Sequence, residues 1–237
     1  MARSFQKPLP EPVPGEQPVN PLPPAVLALF LVVMGVEVAL SLGGTGLVGG
    51  PGAVGWRIAM LDRFAFAPAV LDYIAWGGRR DPGLLLRFLS YAFVHGSVTH
   101  ALFAGALLLA LGKFVAEGMG QVATLVVFVA ATVGGAAGFG LVLDGGQPLF
   151  GCYPGVYGLI GAFTYLTWLK LGRAGERRLR AFRLIGGLLA VQLVFGALFG
   201  ANPQWVADVA GFVAGGAAAT VAAPGGLAAL RARLRAR

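Results

Sequence analysis

Six stretches of mostly apolar residues alternate along the chain with polar or glycine-rich connections. They cover residues 25–43, 98–116, 122–143, 155–171, 184–200 and 205–223. A helix that crosses the hydrocarbon core of a bilayer needs about 20 mostly apolar residues. The fourth and fifth stretches are shorter, which a bundle interior or a locally thinned bilayer accommodates. The pattern predicts an all-α membrane protein, a bundle of six transmembrane helices.

A long loop, residues 45–87, separates the first two predicted spans and mixes aromatic with basic residues. Its aromatic residues include Trp56, Phe64, Phe66, Tyr73 and Trp76. Its basic residues are Arg57, Arg63, Arg79, Arg80 and Arg87. Side chains of both kinds favour the membrane–water interface. We therefore expect short amphipathic helices that lie on, or partly in, the outer leaflet. The alternative is a simple exposed loop, which so many aromatic residues disfavour.

The two ends of the chain differ from this apolar middle. Residues 1–24 are polar and rich in proline, which is typical of a disordered arm. Residues 224–237 form a basic tail that ends in Arg231, Arg233, Arg235 and Arg237. The sequence thus predicts an arm over 1–24, a transmembrane domain over 25–223 and a cytoplasmic tail over 224–237.

Composition narrows the class of protein further. Hydrophobic residues make up 57% of the chain and charged residues 12%, whereas a soluble domain carries about 25% charged residues. Disorder of the whole chain is excluded, because disorder requires low hydrophobicity. A water-soluble globule would lack the polar residues that cover its surface. The single cysteine, Cys152, excludes an internal disulfide and a cysteine-based metal cluster.

The basic residues predict the orientation. All but five of the 18 Lys and Arg residues lie in the arm, the tail and two alternate connections between spans. The positive-inside rule places those segments, and both termini, in the cytoplasm. The five exceptions lie in the long first loop, and long loops cross membranes largely regardless of charge. We expect an integral protein of a bacterial inner (plasma) membrane. The partners we expect are membrane lipids and transmembrane proteins, not nucleic acid.

Four ionisable residues stand out beside or within the predicted spans: Glu37, His95, His100 and Asp208. An ionisable group in the membrane is by default a candidate for function. Glu37 could instead make a polar contact in the bundle or face an aqueous vestibule, and Asp208 could lie at the outer interface. The two histidines are five residues apart and lack an evident third ligand, so we expect neither a metal nor another cofactor.

Small residues mark the predicted fourth and sixth spans. Glycines recur at every third position of the fourth and form a Gly-x-x-x-Gly pair in the sixth; they are Gly155, Gly158, Gly161, Gly211 and Gly215. Such surfaces let helix backbones approach closely in lipid. We expect these two spans to pack against each other.

Several stretches together resemble the rhomboid family of intramembrane serine proteases. Residues 87–100 are similar to the family's approach to its second span, and Gly112 and Glu117 fit the end of that span. Residues 155–162 resemble the stretch after the nucleophile, and residues 208–212 the stretch after the catalytic histidine. The resemblance implies a six-span fold with a partly embedded first loop, and the activity of a serine-type endopeptidase.

The resemblance breaks at the catalytic positions. The family's Gly-x-Ser-Gly motif falls on residues 151–154, which puts Tyr153 in place of the serine. Asp208 stands in place of the histidine that acts as general base. The positions that the family uses around its oxyanion hole correspond to His95, His100 and Ala104, of which Ala104 replaces an asparagine.

These replacements remove the chemistry of a serine protease. A tyrosine phenol is a poor nucleophile for acyl transfer, and a carboxylate is a weak base near neutral pH. The sequence therefore predicts a pseudoprotease that binds transmembrane clients or partner subunits. One alternative is an active endopeptidase with an unconventional nucleophile, Cys152 or Ser97. Another is a small transporter or accessory subunit. We further hypothesise that Tyr153, Asp208 and His100 meet in one buried hydrogen-bonded cluster.

Overall fold

The computed structural model describes residues 21–75, 77–78, 81–199 and 202–223. These residues form nine α-helices, and their only strand-like feature is an isolated bridge. The helices are α1 Pro24–Gly44, α2 Trp56–Phe64, α3 Pro68–Ala75, α4 Pro82–Ser90, α5 Val98–Met119, α6 Gln121–Val142, α7 Tyr153–Arg173, α8 Arg183–Phe199 and α9 Trp205–Ala222. Most of the predicted arm, the whole tail 224–237, and Trp76, Arg79 and Arg80 of the first loop lie outside the described residues.

Helices α1 and α5–α9 coincide with the six predicted spans. Four of them, α1, α5, α6 and α9, are long and apolar enough to cross a membrane by length and composition. Helix α8 has only 17 residues. Helix α7 lies between α5, α6 and α9, and most of its first half is buried. Because neighbouring helices surround the first half of α7, that half does not need an apolar surface. The predicted all-helical membrane fold is confirmed, whereas the count of six spans stays a prediction.

Helix ends follow local sequence signals. Asp81 accepts a hydrogen bond from the Gly83 N–H at the start of α4, and Ser97 accepts one from the His100 N–H at the start of α5. Both are typical N-caps. Gly120 separates α5 from α6 with a φ of 88°, a conformation that favours glycine. The chain can thus reverse direction there in a single residue.

Close packing of small residues holds the centre of the bundle together. A Cβ atom on Gly215 would lie 2.7 Å from the Gly158 carbonyl carbon, and one on Gly161 would lie 2.6 Å from the Gly216 nitrogen. Helices α7 and α9 therefore touch backbone to backbone. Helix α6 packs on α9 in the same way, through glycines that face alanines. This second contact, made by Gly134 and Gly138 of α6, was not foreseen from the sequence.

The first loop contains three short helices, α2–α4, as the sequence predicts. Polar side chains tie them to one another. Arg87 of α4 donates hydrogen bonds to the carbonyls of Asp62 (2.9 Å) and Ala65 (3.2 Å). Ser90 donates to the carbonyl of Phe64 at 3.1 Å. Together they satisfy carbonyls at the C-terminal end of α2 that have no partner within the helix.

Two contacts fasten the first loop to the rest of the bundle. Phe66 and Leu149 exchange two backbone hydrogen bonds, of 3.0 and 2.7 Å, which join the loop to the segment before α7. Arg57 of α2 forms an ion pair with Glu37 of α1 at 2.7 Å. Both contacts lie at the end of the bundle where α5, α7 and α9 begin.

Candidate functional site

The predicted site residues lie at that same end, around two turns of the chain. One turn, residues 94–97, leads into α5, and the other, residues 150–152, leads into α7. Gly151 has a φ of 91°, and a Cβ atom there would lie 2.7 Å from Cε1 of His100 and 3.3 Å from Cδ2 of His95. Only glycine allows the second turn to approach both imidazoles this closely.

Aromatic rings surround His100. Tyr153 stacks on it with ring centroids 5.0 Å apart and an angle of 12° between the planes. His95 meets it edge to face at 5.2 Å, and Phe150 does so at 5.9 Å. Each of these arrangements is a favourable geometry for aromatic pairs. Tyr153, which the resemblance places at the serine position, therefore fills the space beside His100 with its ring.

Two backbone amides of the second turn are already occupied. The Gly151 N–H donates to the Tyr91 carbonyl at 2.9 Å, and the Cys152 N–H donates to Nε2 of His95 at 3.2 Å. Pro154 has no N–H. Since Nε2 of His95 accepts a hydrogen bond, the proton of the neutral ring lies on Nδ1. That Nδ1 is buried and has no hydrogen-bond partner within the described part of the chain.

Asp208 lies in the first turn of α9 and is 5% exposed. Its Oδ2 accepts a hydrogen bond of 2.9 Å from Nε2 of Gln192 in α8. Sequence reasoning missed Gln192, although it is the only polar residue in the apolar stretch 184–199. Among the described residues, the hydrogen bonds of Asp208 do not include one from Tyr153 or His100. The hypothesis of one hydrogen-bonded cluster is therefore corrected to a stacked pair and a separate Asp208–Gln192 pair.

Glu37 makes a polar contact within the bundle, one of the two roles considered for it. Its carboxylate is 2% exposed and accepts two hydrogen bonds from Arg57, of 2.9 and 2.7 Å, and one from Ser41. Arg57 also donates to the His95 carbonyl at 2.6 Å. The bond to Glu37 raises the pKa of Arg57 above its ordinary value. This ion pair thus joins α1, the first loop and the turn that carries His95.

The remaining predicted positions are apolar or small. Ala104 of α5 is fully buried in the hydrophobic core, and its methyl side chain forms no hydrogen bond. The five predicted packing glycines lie at the contacts of α7 with α6 and α9. Within the described residues, no group of three or more His, Cys, Asp or Glu side chains is placed to hold a metal ion.

His95 should make the stability of the protein depend on pH. Burial, and then the neighbouring His100, lowers the pKa of His95 to about 4, whereas an unfolded histidine titrates near 6.5. Protonation between these values favours the unfolded state. We expect the free energy of unfolding to fall by about 3 kcal/mol as the pH drops from about 6.5 to 4. Denaturant titrations in detergent at several pH values measure this, and a His95→Gln variant should lose that part of the slope. An unchanged slope in the variant would contradict the assignment.

Apolar helices of membrane-spanning length, with ionisable groups buried at one end of their bundle, define an integral membrane protein with a buried polar site. Residues 82–224, more than half of the chain, match the family profile described as Rhomboid domain. The chain belongs to the rhomboid family, as its resemblance predicts. No curated protein matches the sequence.

Proposed function

We propose that this rhomboid-family membrane protein is a pseudoprotease that binds transmembrane helices of clients or partner subunits without cleaving them. The stacking of Tyr153 on His100 carries the proposal. In a serine protease this place holds a small hydroxyl beside the atoms that receive the scissile carbonyl. An aromatic ring in that place occupies the space that the scissile peptide bond of a substrate would need.

The two other candidate nucleophiles are poorly suited to attack a peptide bond. Cys152 is fully buried, and burial raises the pKa of its thiol to about 12. The thiolate is the reactive form of cysteine, so this thiol is inert at neutral pH. The hydroxyl oxygen of Ser97 accepts a hydrogen bond as the N-cap of α5. Neither side chain supports acyl transfer.

Stabilisation of an oxyanion is weakened as well. Preorganised N–H donors usually supply this stabilisation, and one donor contributes about 3 kcal/mol. Here the amides of Gly151 and Cys152 are bonded to other acceptors, and Pro154 and Ala104 add no donor. Asp208, at the position of the general base, is hydrogen-bonded to Gln192. The site thus lacks a suitable nucleophile, a suitable base and the donors of an oxyanion hole.

The arrangement of α8 favours binding of a transmembrane helix. It contacts α7 and the turn at Arg178–Phe182, and it exposes the large apolar side chains of Leu184, Val191, Val194 and Leu198. Its polar link to α9 is the Gln192–Asp208 hydrogen bond. At 17 residues it is about 25 Å long, shorter than a hydrocarbon core of about 30 Å. A client helix could pack beside α8 where the bilayer thins.

The proposal includes a topology. Helices α1 and α5–α9 cross a bacterial inner membrane, with both termini in the cytoplasm and α2–α4 at the outer surface. The arm 1–24 and the tail 224–237 flank a transmembrane domain over 25–223. The distribution of basic residues supports this orientation.

A reconstitution assay tests the lack of proteolysis. Purified protein in proteoliposomes with a fluorescently labelled single-span substrate is expected to give no cleavage product, because no competent nucleophile and base are paired. Tyr153→Ala, Cys152→Ala and Ser97→Ala variants serve as controls and should be equally inactive. Cleavage by the parent protein that any one of these substitutions abolishes would overturn the pseudoprotease assignment.

Photocrosslinking tests the binding. A photoreactive residue at Val194 of α8 or Val213 of α9, both exposed, should crosslink to an added single-span peptide. The same residue at Val32 of α1, also exposed, is the matched control and should crosslink several-fold less. Equal crosslinking at all three positions, in proteoliposomes of one lipid composition, would argue against a binding face at α8 and α9.

A further inference from the structure

The connection between α7 and α8 concentrates positive charge. Residues 170–183 hold six basic side chains and one acidic side chain. We propose that this connection is a binding site for the headgroup of an anionic phospholipid. The proposal concerns the opposite end of the bundle from the rhomboid site and does not depend on whether the protein cleaves or binds clients.

The connection is built as an ordered platform on Trp168. The guanidinium of Arg178 lies 5.8 Å from the Trp168 ring, and the Phe182 ring meets it edge to face at 5.9 Å. Ala181 is 2% exposed and anchors the turn at Arg178–Phe182. Tryptophan is enriched at the membrane–water interface. Its contacts here hold the basic turn at the level of the lipid headgroups.

Most of the positive charge is not neutralised by the protein. Glu176 is the one acidic residue of the connection, and it pairs with Arg180 at 2.5 Å. In the described part of the chain, the other exposed cations have no carboxylate within ion-pair distance; they are Lys170, Arg173, Arg177, Arg178 and Arg183. Guanidinium groups match the geometry of phosphate oxygens. An anion of phosphate chemistry therefore fits this surface.

Apolar side chains lie beside the cations, and they favour a phospholipid over a free phosphate ion as the ligand. Leu179 is 77% exposed and Phe182 is 42% exposed, although both are large and apolar. Helix α8 starts at the next residue and exposes Leu184. Apolar residues interleaved with basic ones bury their side chains in the acyl region while the charges meet anionic headgroups. A free phosphate ion would leave these apolar side chains in water.

Competition between two lipids tests the site. Full-length protein in a nonionic detergent is mixed with equal amounts of phosphatidylglycerol and phosphatidylcholine, and native mass spectrometry counts the lipid retained. We expect at least about tenfold preference for phosphatidylglycerol, since each basic residue near an anionic surface contributes about fivefold. The triple substitution Arg173→Gln, Arg177→Gln and Arg183→Gln should remove most of it. These side chains make no described polar contact, so the fold should persist, which thermal unfolding in phosphatidylcholine checks.

Three further measurements show whether the lipid preference arises at the connection between α7 and α8. Substitution of Arg231, Arg233 and Arg235 by Gln removes the same charge from the tail and should leave the preference unchanged. A Leu179→Ser variant keeps every charge and should retain several-fold less phosphatidylglycerol. Inorganic phosphate at the lipid concentration should not displace the lipid. The proposal would be overturned if the triple variant of Arg173, Arg177 and Arg183 kept the preference, or if only the tail variant lost it. Displacement of the lipid by inorganic phosphate would also overturn it.

Discussion

An Arg57→Met variant is expected to lose about 3–5 kcal/mol of unfolding free energy. The substitution leaves the Glu37 carboxylate, which is 2% exposed, without the guanidinium that donates two hydrogen bonds to it. Removal of one partner from a buried ion pair costs this much, because the remaining charge stays buried and unpaired. The same variant also frees the His95 carbonyl and removes the ion pair between α2 and α1.

Unfolding by denaturing detergent in mixed micelles measures this loss. A Glu37→Leu and Arg57→Met double variant should be much less destabilised than the Arg57→Met variant, since it buries no unpaired charge. Arg63→Met is the matched control. Arg63 is an exposed arginine of the same helix whose visible contact is with the Phe64 ring, so its loss should cost at most about 1 kcal/mol. Equal losses for Arg57→Met and Arg63→Met would show that the ion pair does not fasten the loop.

A Gly215→Ala variant is expected to lose about 3 kcal/mol of unfolding free energy. The added Cβ would lie 2.5 Å from the Gly158 carbonyl oxygen and 2.7 Å from its carbon. Those atoms belong to the backbone of α7, which cannot yield as a flexible side chain does. Overpacking of a dense interior costs about 1–3 kcal/mol, and a clash of backbone with backbone falls at the upper end.

The neighbouring residue provides the control. A Cβ on Gly216 would meet the nearest atom, Gly161 Cα, at 3.7 Å, which is an ordinary contact. Gly216→Ala should therefore be neutral or slightly stabilising, because alanine favours a helix more than glycine does. Both variants replace glycine by alanine at adjacent positions of one helix. The gain in helix propensity is therefore the same for both and cancels in the comparison. A Gly215→Ala variant as stable as Gly216→Ala would exclude close contact between α7 and α9.

The helices could be predicted from the local sequence alone. The helices α1 and α5–α9 follow from runs of apolar residues, and α2–α4 from the mixture of aromatic and basic residues in the first loop. Glycine spacing pointed to one face of α7 and one face of α9. The contact of α6 with α9 was missed because Gly134 and Gly138 lie in a helix already rich in small residues. Nothing in their spacing names the partner helix.

The polar partners could not be predicted in the same way. Glu37 and Arg57 are far apart in sequence, as are Gln192 and Asp208, and neither pair has a periodic signature. A buried charged group must be hydrogen-bonded, and its partner is the polar group that helix packing brings within hydrogen-bond distance. The resemblance to the rhomboid active site suggested Tyr153 and His100 as partners of Asp208, whereas packing supplied Gln192.

The sequence by itself determined that this protein resides in a membrane, that it is helical and that it resembles rhomboids with altered catalytic positions. Apolar periodicity and residue identity are local properties of the chain, and they suffice for these conclusions. Only the tertiary structure decided that the Tyr153 ring stacks on His100, that Arg57 pairs with Glu37 and that a basic turn rests on Trp168. Each of these contacts joins separate elements, so its geometry depends on how the helices pack.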